Sequence, residues 1–308
     1  MIEQDQTNKN YSFQDDSIDF KELLNLIWDG KKLIILITAV FALCSVWFAS
    51  SLTNYYKSQT VLTTAEGSNE MASLSRYSSI ASMAGISMPS SGLDKGSLIV
   101  NTVMSRAFLK HLLSFEDVLP SLVAAKSYDS ESKKLVFDSE LYDAANKKWL
   151  IPKPNYLKAY PAYMRMLYTD YNDMRRIIDL QLEHMSPIFA REFLDSIIQE
   201  GDKALRDFDM QVSIDSLEYL NIELAETKLL NIKSSINQMI LSQMQTKMMT
   251  QLGYNYVVKI IDPPFIPLVP NRPSRSFINL VGLLGGLVAG ILLVLMRRFI
   301  GYDITKQK

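Results

Sequence analysis

Few residues in this chain have the types and spacing that enzymatic or metal chemistry needs. The two histidines, His111 and His184, lie far apart in the sequence, so a zinc site would have to be built largely from carboxylates. Neither the phosphate-binding pattern GxxxxGK(S/T) nor the nucleophile pattern GxSxG occurs. The 33 acidic residues are expected on solvated faces rather than as a catalytic pair. The sequence therefore predicts a protein that is not an enzyme, with no catalytic, cofactor-binding or metal-binding residues and no cofactor.

The composition of the chain excludes further classes of protein. The formal net charge of −1 provides no basic field of the kind that attracts nucleic acid, so no nucleic-acid partner is expected. The only cysteine, Cys44, lies inside an apolar stretch, so the rest of the chain has no disulfide framework. A disulfide-free domain of this size suits a bacterial periplasmic protein with a hydrophobic core of its own.

Two apolar stretches lie at opposite ends of the chain and would position any functional surface between them in the sequence. Leu33–Leu52 and Phe277–Met296 contain no charged residue, and about 20 residues at ~1.5 Å each reach ~30 Å, the thickness of a bilayer core. We therefore predict two transmembrane helices, over 33–52 and 277–296, that separate tails 1–32 and 297–308 from a domain over 53–276. A cleaved signal peptide is the alternative for the first stretch, and a buried helix of a soluble protein is the alternative for the second.

Basic residues next to the spans predict the orientation. Lys31 and Lys32 precede the first span, and Arg297 and Arg298 follow the second. Positive residues near span ends favour the cytoplasm, so both termini are expected there and the domain on the other side. Within the N-terminal tail, apolar residues at helical spacing predict an amphipathic helix at the membrane interface: Phe20, Leu23, Leu24 and Ile27.

Small residues recur every four positions in both spans. The second span has Gly282, Gly286 and Gly290, and the first has Ser45 and Ala49. Small residues at this spacing let helix backbones approach closely in lipid, so we predict that the spans pack against each other, within or between subunits. The alternative is that lipid simply tolerates these glycines.

A long uninterrupted segment dominates the domain. Ser186 suits an N-cap and Pro187 a first helical position, and no proline and a single glycine, Gly201, follow before Gly253. The sequence predicts one helix over about 186–252, roughly 65 residues or ~100 Å, projecting beyond the domain. Two helices broken near Gly201 or Gln211 are the alternative. Apolar residues at 3-4 spacing predict a packing seam along the helix: Ile222, Ala225, Leu229, Ile232, Ile236 and Met239.

Strand patterns flank that segment. Tyr55–Thr64 is rich in β-forming residues, Ile177–Glu183 alternates apolar and polar residues, and Tyr256–Ile261 precedes a proline-rich segment over 262–273. The first and last of these strands are expected to pair in a membrane-proximal sheet, with the long helix rising from it. The prolines predict a semi-rigid, extended segment, and an SH3-type ligand is the alternative: Pro263, Pro264, Pro267, Pro270 and Pro273.

The order of these features resembles the Wzz-type chain-length determinants, the class 1 polysaccharide co-polymerases. The acidic lead-in Ser17–Asp29, the strand Tyr55–Thr64 and the Ser/Gly-rich stretch with its following helix, Ala81–Leu113, are similar to that family. So are the long segment Ser186–Leu252 and the proline run before a glycine-rich span. The resemblance is specific because of the order of these features, since no single motif is specific for the family.

The resemblance implies a non-enzymatic regulator of polysaccharide chain length. It implies an α+β periplasmic domain with a long projecting helix, anchored in the bacterial inner membrane by two transmembrane helices. It also implies assembly into a homo-oligomeric ring that acts with a Wzy-type polymerase on lipid-linked O-antigen in lipopolysaccharide biosynthesis. An adaptor for capsule or exopolysaccharide synthesis and export is the alternative in the same class. A two-span sensor and a periplasmic enzyme acting on glycan are alternatives from other classes.

Overall fold

The computed structural model describes Trp28 and residues 30–65, 94–253 and 255–306, with side chains to Arg297. The predicted amphipathic helix from Phe20 to Ile27 lies outside these residues, as does most of the Ser/Gly-rich stretch after Ser68. The chain divides into two units. One comprises Met1–Leu52 with Pro273–Lys308, and the other comprises Thr53–Arg272.

The described residues form eight helices and eight strands. In order they are α1 (Lys31–Ser51), β1 (Tyr56–Thr64), α2 (Lys95–Val103), α3 (Arg106–Leu112), α4 (Val118–Val123), β2 (Ala125–Asp129), β3 (Lys134–Phe137), β4 (Tyr142–Asp143), β5 (Lys148–Trp149), α5 (Tyr156–Met166), β6 (Leu167–Asn172), β7 (Ile177–His184), α6 (Pro187–Glu226), α7 (Leu230–Gln251), β8 (Val258–Asp262) and α8 (Arg275–Lys306). This confirms the expected mixture of helix and sheet.

The first unit is a pair of long apolar helices. Within the described residues, α1 and the segment Arg275–Arg297 of α8 are long and apolar enough to cross a membrane. Both begin two residues before the stretches predicted from the sequence. Most of their side chains are exposed, including Trp47 at 76%, which is the pattern expected of helices whose outer surface faces lipid rather than a protein core.

A four-stranded antiparallel sheet organises the second unit, in the order β6-β7-β1-β8. β1 pairs with β7 along its length, from Tyr56 opposite His184 to Thr63 opposite Ile177. On its other edge β1 pairs with β8, with a register shift between Val61 and Leu62. The predicted pairing of the strand after the first span with the strand before the second is therefore confirmed.

One face of this sheet carries the hydrophobic core. Along β1 and β7 alternate side chains are buried, as period-two patterning requires. The first part of α6 covers that face together with α2 and α5, and side chains of α3 and α4 complete the same core. The core side chains include Leu62, Leu109, Tyr163, Ile178, Leu182, Leu194 and Ile197. The opposite face keeps polar side chains such as Gln59, Gln181 and Glu183, which are only partly buried.

The prediction of one continuous helix over 186–252 is wrong. α6 begins as expected, since the Ser186 hydroxyl accepts a hydrogen bond from the backbone N–H of Phe189 and Pro187 occupies the first turn. It spans 40 residues and ends at Glu226, a length of about 60 Å. Thr227 and Leu229 then adopt extended backbone angles, and α7 begins at Leu230.

The break lies at neither position considered in the sequence, since both Gly201 and Gln211 are inside α6. α7 runs back along α6, and the Arg206 guanidinium donates to the backbone carbonyl of Gly253, at 3.2 Å, just past the end of α7. Folding back gives each helix a partner, whereas a single helix of this length would leave its apolar residues in water. The two helices therefore form an antiparallel hairpin.

Candidate functional site: packing surfaces and a sheet cleft

The glycines of α8 lie against the small residues of α1. A Cβ atom placed on Gly282 would come within 2.3 Å of the Ser45 Cβ, so only glycine permits this approach. The Ser45 hydroxyl donates to the Ile278 carbonyl of α8 at 3.0 Å. Such a hydrogen bond replaces contacts with water that an apolar environment cannot supply.

The same spacing continues along the helix pair. A Cβ on Gly286 would lie 2.7 Å from the Phe41 Cβ and 3.0 Å from the Thr38 Cα, and one on Gly290 would lie 3.1 Å from the Ile34 Cα. Gly285, one position away, meets nothing within 4 Å. The two helices of one chain therefore pack on the four-residue glycine spacing. Ala49 is also buried, with 2% of its surface exposed.

The proline-rich segment continues the sheet beyond β8. Proline lacks an N–H group, so this stretch cannot donate regular ladder bonds to β1. Instead two buried hydroxyls of β1 donate to it: Thr60 to the Asp262 carbonyl at 2.6 Å and Ser58 to the Phe265 carbonyl at 2.8 Å. The segment is thus held along β1 by side chains. Its five prolines all lie outside helices and strands: Pro263, Pro264, Pro267, Pro270 and Pro273.

A group of polar contacts holds the end of the proline-rich segment. We call it the latch, and its residues are Tyr55, Glu183, Asn271 and Arg272. The backbone of Tyr55 exchanges hydrogen bonds with Asn271 and Arg272, including Tyr55 N–H to the Arg272 carbonyl at 2.8 Å. The Glu183 carboxylate on β7 accepts from the Asn271 side-chain amide and forms an ion pair with Arg272. The chain segments that lead to the two apolar helices are therefore fastened to each other and to β7.

The start of β8 is anchored to α6 by a buried carboxylate. Asp202, with 6% of its surface exposed, accepts hydrogen bonds from the backbone N–H groups of Tyr256, Val257 and Val258 at 2.7–3.3 Å. Three donors compensate for the loss of hydration that burial of a charge entails. Asp202 thus fixes the position of β8 relative to α6.

His184 is a buried structural histidine. Its Nδ1 accepts a hydrogen bond from the Ser186 N–H at 3.1 Å, so the proton is on Nε2, which donates to the Ser121 carbonyl at 3.0 Å. Burial lowers the pKa of His184 to about 4. The ring is therefore neutral at physiological pH and ties the end of β7 to α4.

The distal parts of α6 and α7 expose a large apolar surface. We call this the hairpin surface, and its large exposed residues are Phe208, Val212, Tyr219, Ile222, Leu230, Ile232, Met239, Leu241, Met244, Met248 and Met249. Apolar patches of this extent on a soluble domain indicate an interaction site.

The predicted seam does not form one face of one helix. Ile222 and Ala225 are on α6, Leu229 is in the turn, and Ile232, Ile236 and Met239 are on α7. Only Ile236 is buried. The other five belong to the exposed part of the hairpin and extend its apolar surface.

Acidic and histidine side chains do not assemble into a catalytic or metal centre in the described part of the chain. No group of three or more His, Cys, Asp or Glu residues there could hold a metal ion. The exposed side chain of His111 contacts Glu200 at 2.7 Å, an isolated pair on the surface.

A cleft of about 440 Å³ lies on the polar side of the sheet. It is bordered by three cations from three different elements: Lys57 on β1, Arg165 near the end of α5 and Arg272 of the latch. Tyr168, 58% exposed, and the amide of Gln181 complete its polar wall. Glu183 is the only carboxylate among the described residues that line it.

Sequence patterns alone did not reveal this cleft or the Asp202 anchor. The alternation of β1 places Lys57 on the face opposite Ser58, which the sequence does encode. The approach of Arg165 and Arg272 depends on the packing of α5 and on the latch, and no local pattern specifies either.

The fold and these surfaces define a class: an α+β domain that lies in the sequence between two helices long and apolar enough to span a membrane. Residues 16–114 match the family model described as "Wzz: Chain length determinant protein". The resemblance to the Wzz-type chain-length determinants is therefore confirmed, and that family of polysaccharide co-polymerases is regulatory rather than catalytic.

Two solved structures are similar at low identity. A full-length bacterial polysaccharide co-polymerase is 12% identical to this chain. The alignment covers 92% of this chain and 99% of that structure's chain, with a TM-score of 0.39. A fragment of WzzB, a polysaccharide co-polymerase from Salmonella Typhimurium, is 11% identical to this chain. The alignment covers 71% of this chain and 100% of the fragment, with a TM-score of 0.28. No curated protein sequence matches the chain. The resemblance rests on the family model, which covers residues 16–114.

Proposed function

We propose that this protein is a non-enzymatic regulator of polysaccharide chain length that works as a homo-oligomeric co-polymerase in the bacterial inner membrane. The observation that carries the proposal is the match of residues 16–114 to the chain length determinant family. The α+β domain, which lies in the sequence between two apolar helices, supports it, since a regulator of this kind needs a membrane anchor and a large surface outside the membrane.

Both termini are cytoplasmic in this proposal, and the unit Thr53–Arg272 is periplasmic. Lys31 and Lys32 at the start of α1 and Arg297 at the end of the apolar part of α8 support this orientation. The single free cysteine, Cys44, is within α1, so the proposed periplasmic unit has no thiol to oxidise.

The hairpin surface supports the oligomer. Side chains such as Tyr219 and Leu241, each 65% exposed, gain free energy when a neighbouring subunit covers them. In the proposed ring each subunit packs its hairpin against the next, and the partner enzyme is a Wzy-type polymerase that extends lipid-linked O-antigen in lipopolysaccharide biosynthesis.

The same fold would serve a capsule or exopolysaccharide system. The matching family model specifies no particular polymer, and no feature of the described residues of the proposed periplasmic unit is specific for O-antigen. Neighbouring genes for an O-antigen ligase favour the first assignment, and a gene for an outer-membrane export channel favours the second.

Deletion of the gene tests the proposal. Surface polysaccharide separated on a gel should lose its preferred length in the deletion strain and regain it when the wild-type gene is restored. An unchanged ladder in the deletion strain would refute the function.

A further inference from the structure

We propose that the cleft bordered by Lys57, Arg165 and Arg272 binds the phosphate ester at the lipid end of a lipid-linked saccharide. This inference rests on the proposed function, because it names the part of the polymer that the domain would hold. Nothing in the family match specifies such a site.

The cations of the cleft are poorly neutralised. Lys57 lies directly opposite Glu183 across the β1–β7 pair, and Glu183 also forms the ion pair with Arg272. Arg165 donates from Nε to the Pro161 carbonyl at 3.2 Å, which leaves its terminal nitrogens available. Three cations around a single carboxylate attract an anion with more than one charge.

Two other clefts in the described part of the chain are less positive. The larger, of about 650 Å³, is lined by Lys203 and Arg206 but also by Glu200 and Asp202, so its formal charges balance. The smaller, of about 270 Å³, has Lys147 and Lys153 around Glu116, and Lys147 pairs with that carboxylate at 3.2 Å. The cleft on the sheet has the largest excess of cations of the three and therefore suits a phosphate best.

Polar groups beside the cations suit a sugar. Gln59, Gln181 and Tyr168 lie in one row across β1, β7 and β6, because Gln181 is opposite both of the others. An exposed aromatic ring packs against the C–H face of a pyranose, and amides satisfy its hydroxyls. The row thus places a surface for a sugar ring next to the cations.

The chemistry of polymerisation explains why sugar and phosphate would occur together. A saccharide that is to be transferred to another chain needs a good leaving group at its reducing end, and a phosphate ester supplies one. In a lipid-linked donor this ester joins the sugar to the lipid. Arg272 precedes α8 by three residues, so the cleft is close in sequence to a helix that the proposal places in the membrane.

Direct binding tests the inference in the full-length protein in neutral detergent. Isothermal titration uses isopentenyl diphosphate, a small alkyl diphosphate, as the probe. Inorganic phosphate and vesicles of phosphatidylglycerol are the comparisons. The Lys57→Gln/Arg165→Gln variant should lose about tenfold or more in affinity for the diphosphate, since two charge-assisted contacts are removed. The matched control, Lys148→Gln/Arg175→Gln, removes the same charge elsewhere in the unit and should bind as the wild type does.

Three outcomes overturn the inference. They are no binding of the diphosphate by the wild type, an equal loss in the control variant, and binding of phosphate or phosphatidylglycerol through Lys57 and Arg165 as tightly as the diphosphate. The polysaccharide ladder separates this failure from that of the function. If deletion alters the ladder but the diphosphate does not bind, the proposed chain-length function is supported and phosphate binding in the cleft is refuted. An unaltered ladder refutes the regulator itself.

Discussion

The two halves of α6 belong to one helix but lie in different environments. From Pro187 to Leu205 one side of the helix is buried against the sheet, whereas beyond Leu205 only Ser213 and Leu220 are buried. The first half is stabilised by the core, and the second half by α7 and by the contacts of Asp209 with Tyr256 and Lys95. The exposed half is too apolar to be explained by the stability of a single subunit, so we propose that it serves assembly.

Removal of a buried side chain from the first half should have the largest effect on stability. Ile197 is fully buried under the sheet, so Ile197→Ala is expected to lower the free energy of unfolding by about 2–5 kcal/mol. Urea unfolding of the purified protein in detergent measures this. A loss of free energy no larger than that of an exposed substitution on the second half would contradict the difference between the two halves.

The buried histidine at the end of β7, which precedes α6, makes the stability of this region depend on pH. Because burial lowers the pKa of His184 from 6.5 to about 4, the folded state favours the neutral ring. The neutral ring contributes about 3 kcal/mol to the free energy of unfolding. This contribution is complete above pH 6.5 and is lost as the pH falls toward 4. His184→Gln retains a donor and an acceptor without a charge, and its unfolding free energy should vary less over this range. Equal pH profiles for the two proteins would contradict the assignment.

The paired apolar helices provide a third environment, in which backbones approach closely. Gly286→Leu would force a side chain against Phe41 and Thr38, and overpacking of this kind costs about 1–3 kcal/mol. The matched variant is Gly285→Leu, whose new side chain meets open space. Thermal unfolding in detergent and native mass spectrometry should show a loss of stability and of oligomers for Gly286→Leu only. Identical behaviour of the two variants would refute the role of the glycine spacing.

Substitutions on the second half should affect stability least. Ile222 and Ile232 are 55% and 46% exposed, so the Ile222→Ser/Ile232→Ser variant is expected to change the unfolding free energy by less than about 0.5 kcal/mol. It should nevertheless shift the protein toward smaller species in native mass spectrometry. The control Asn237→Ser/Gln238→Ser, on exposed polar positions of α7, should leave the oligomer intact. Full assembly of the isoleucine variant would exclude these residues from the interface.

Local patterns predicted the sheet and the helix pair better than the hairpin. The alternation in Ile177–Glu183 and the β-forming run Tyr55–Thr64 specify strands whose buried faces must meet, and their pairing follows. The turn at Thr227–Leu229 has no glycine or proline to mark it. It forms because α7 packs against α6, a tertiary effect that overrides helix propensity.

The cleft and the Asp202 anchor were beyond sequence reasoning for a related reason. Asp202 is one of many acidic residues on a helix, and only the arrival of β8 gives it three backbone donors. Lys57, Arg165 and Arg272 are distant in sequence and meet only in the folded unit. Long-range packing of this kind leaves no periodic signal in the chain.

Imaging of single particles of the purified full-length protein would show directly whether the hairpins join neighbouring subunits. We expect closed rings in which the α6–α7 hairpins of neighbouring subunits are in contact and the exposed apolar side chains of the second half of α6 are covered. Monomeric particles, or rings whose hairpins remain separate and exposed, would contradict it.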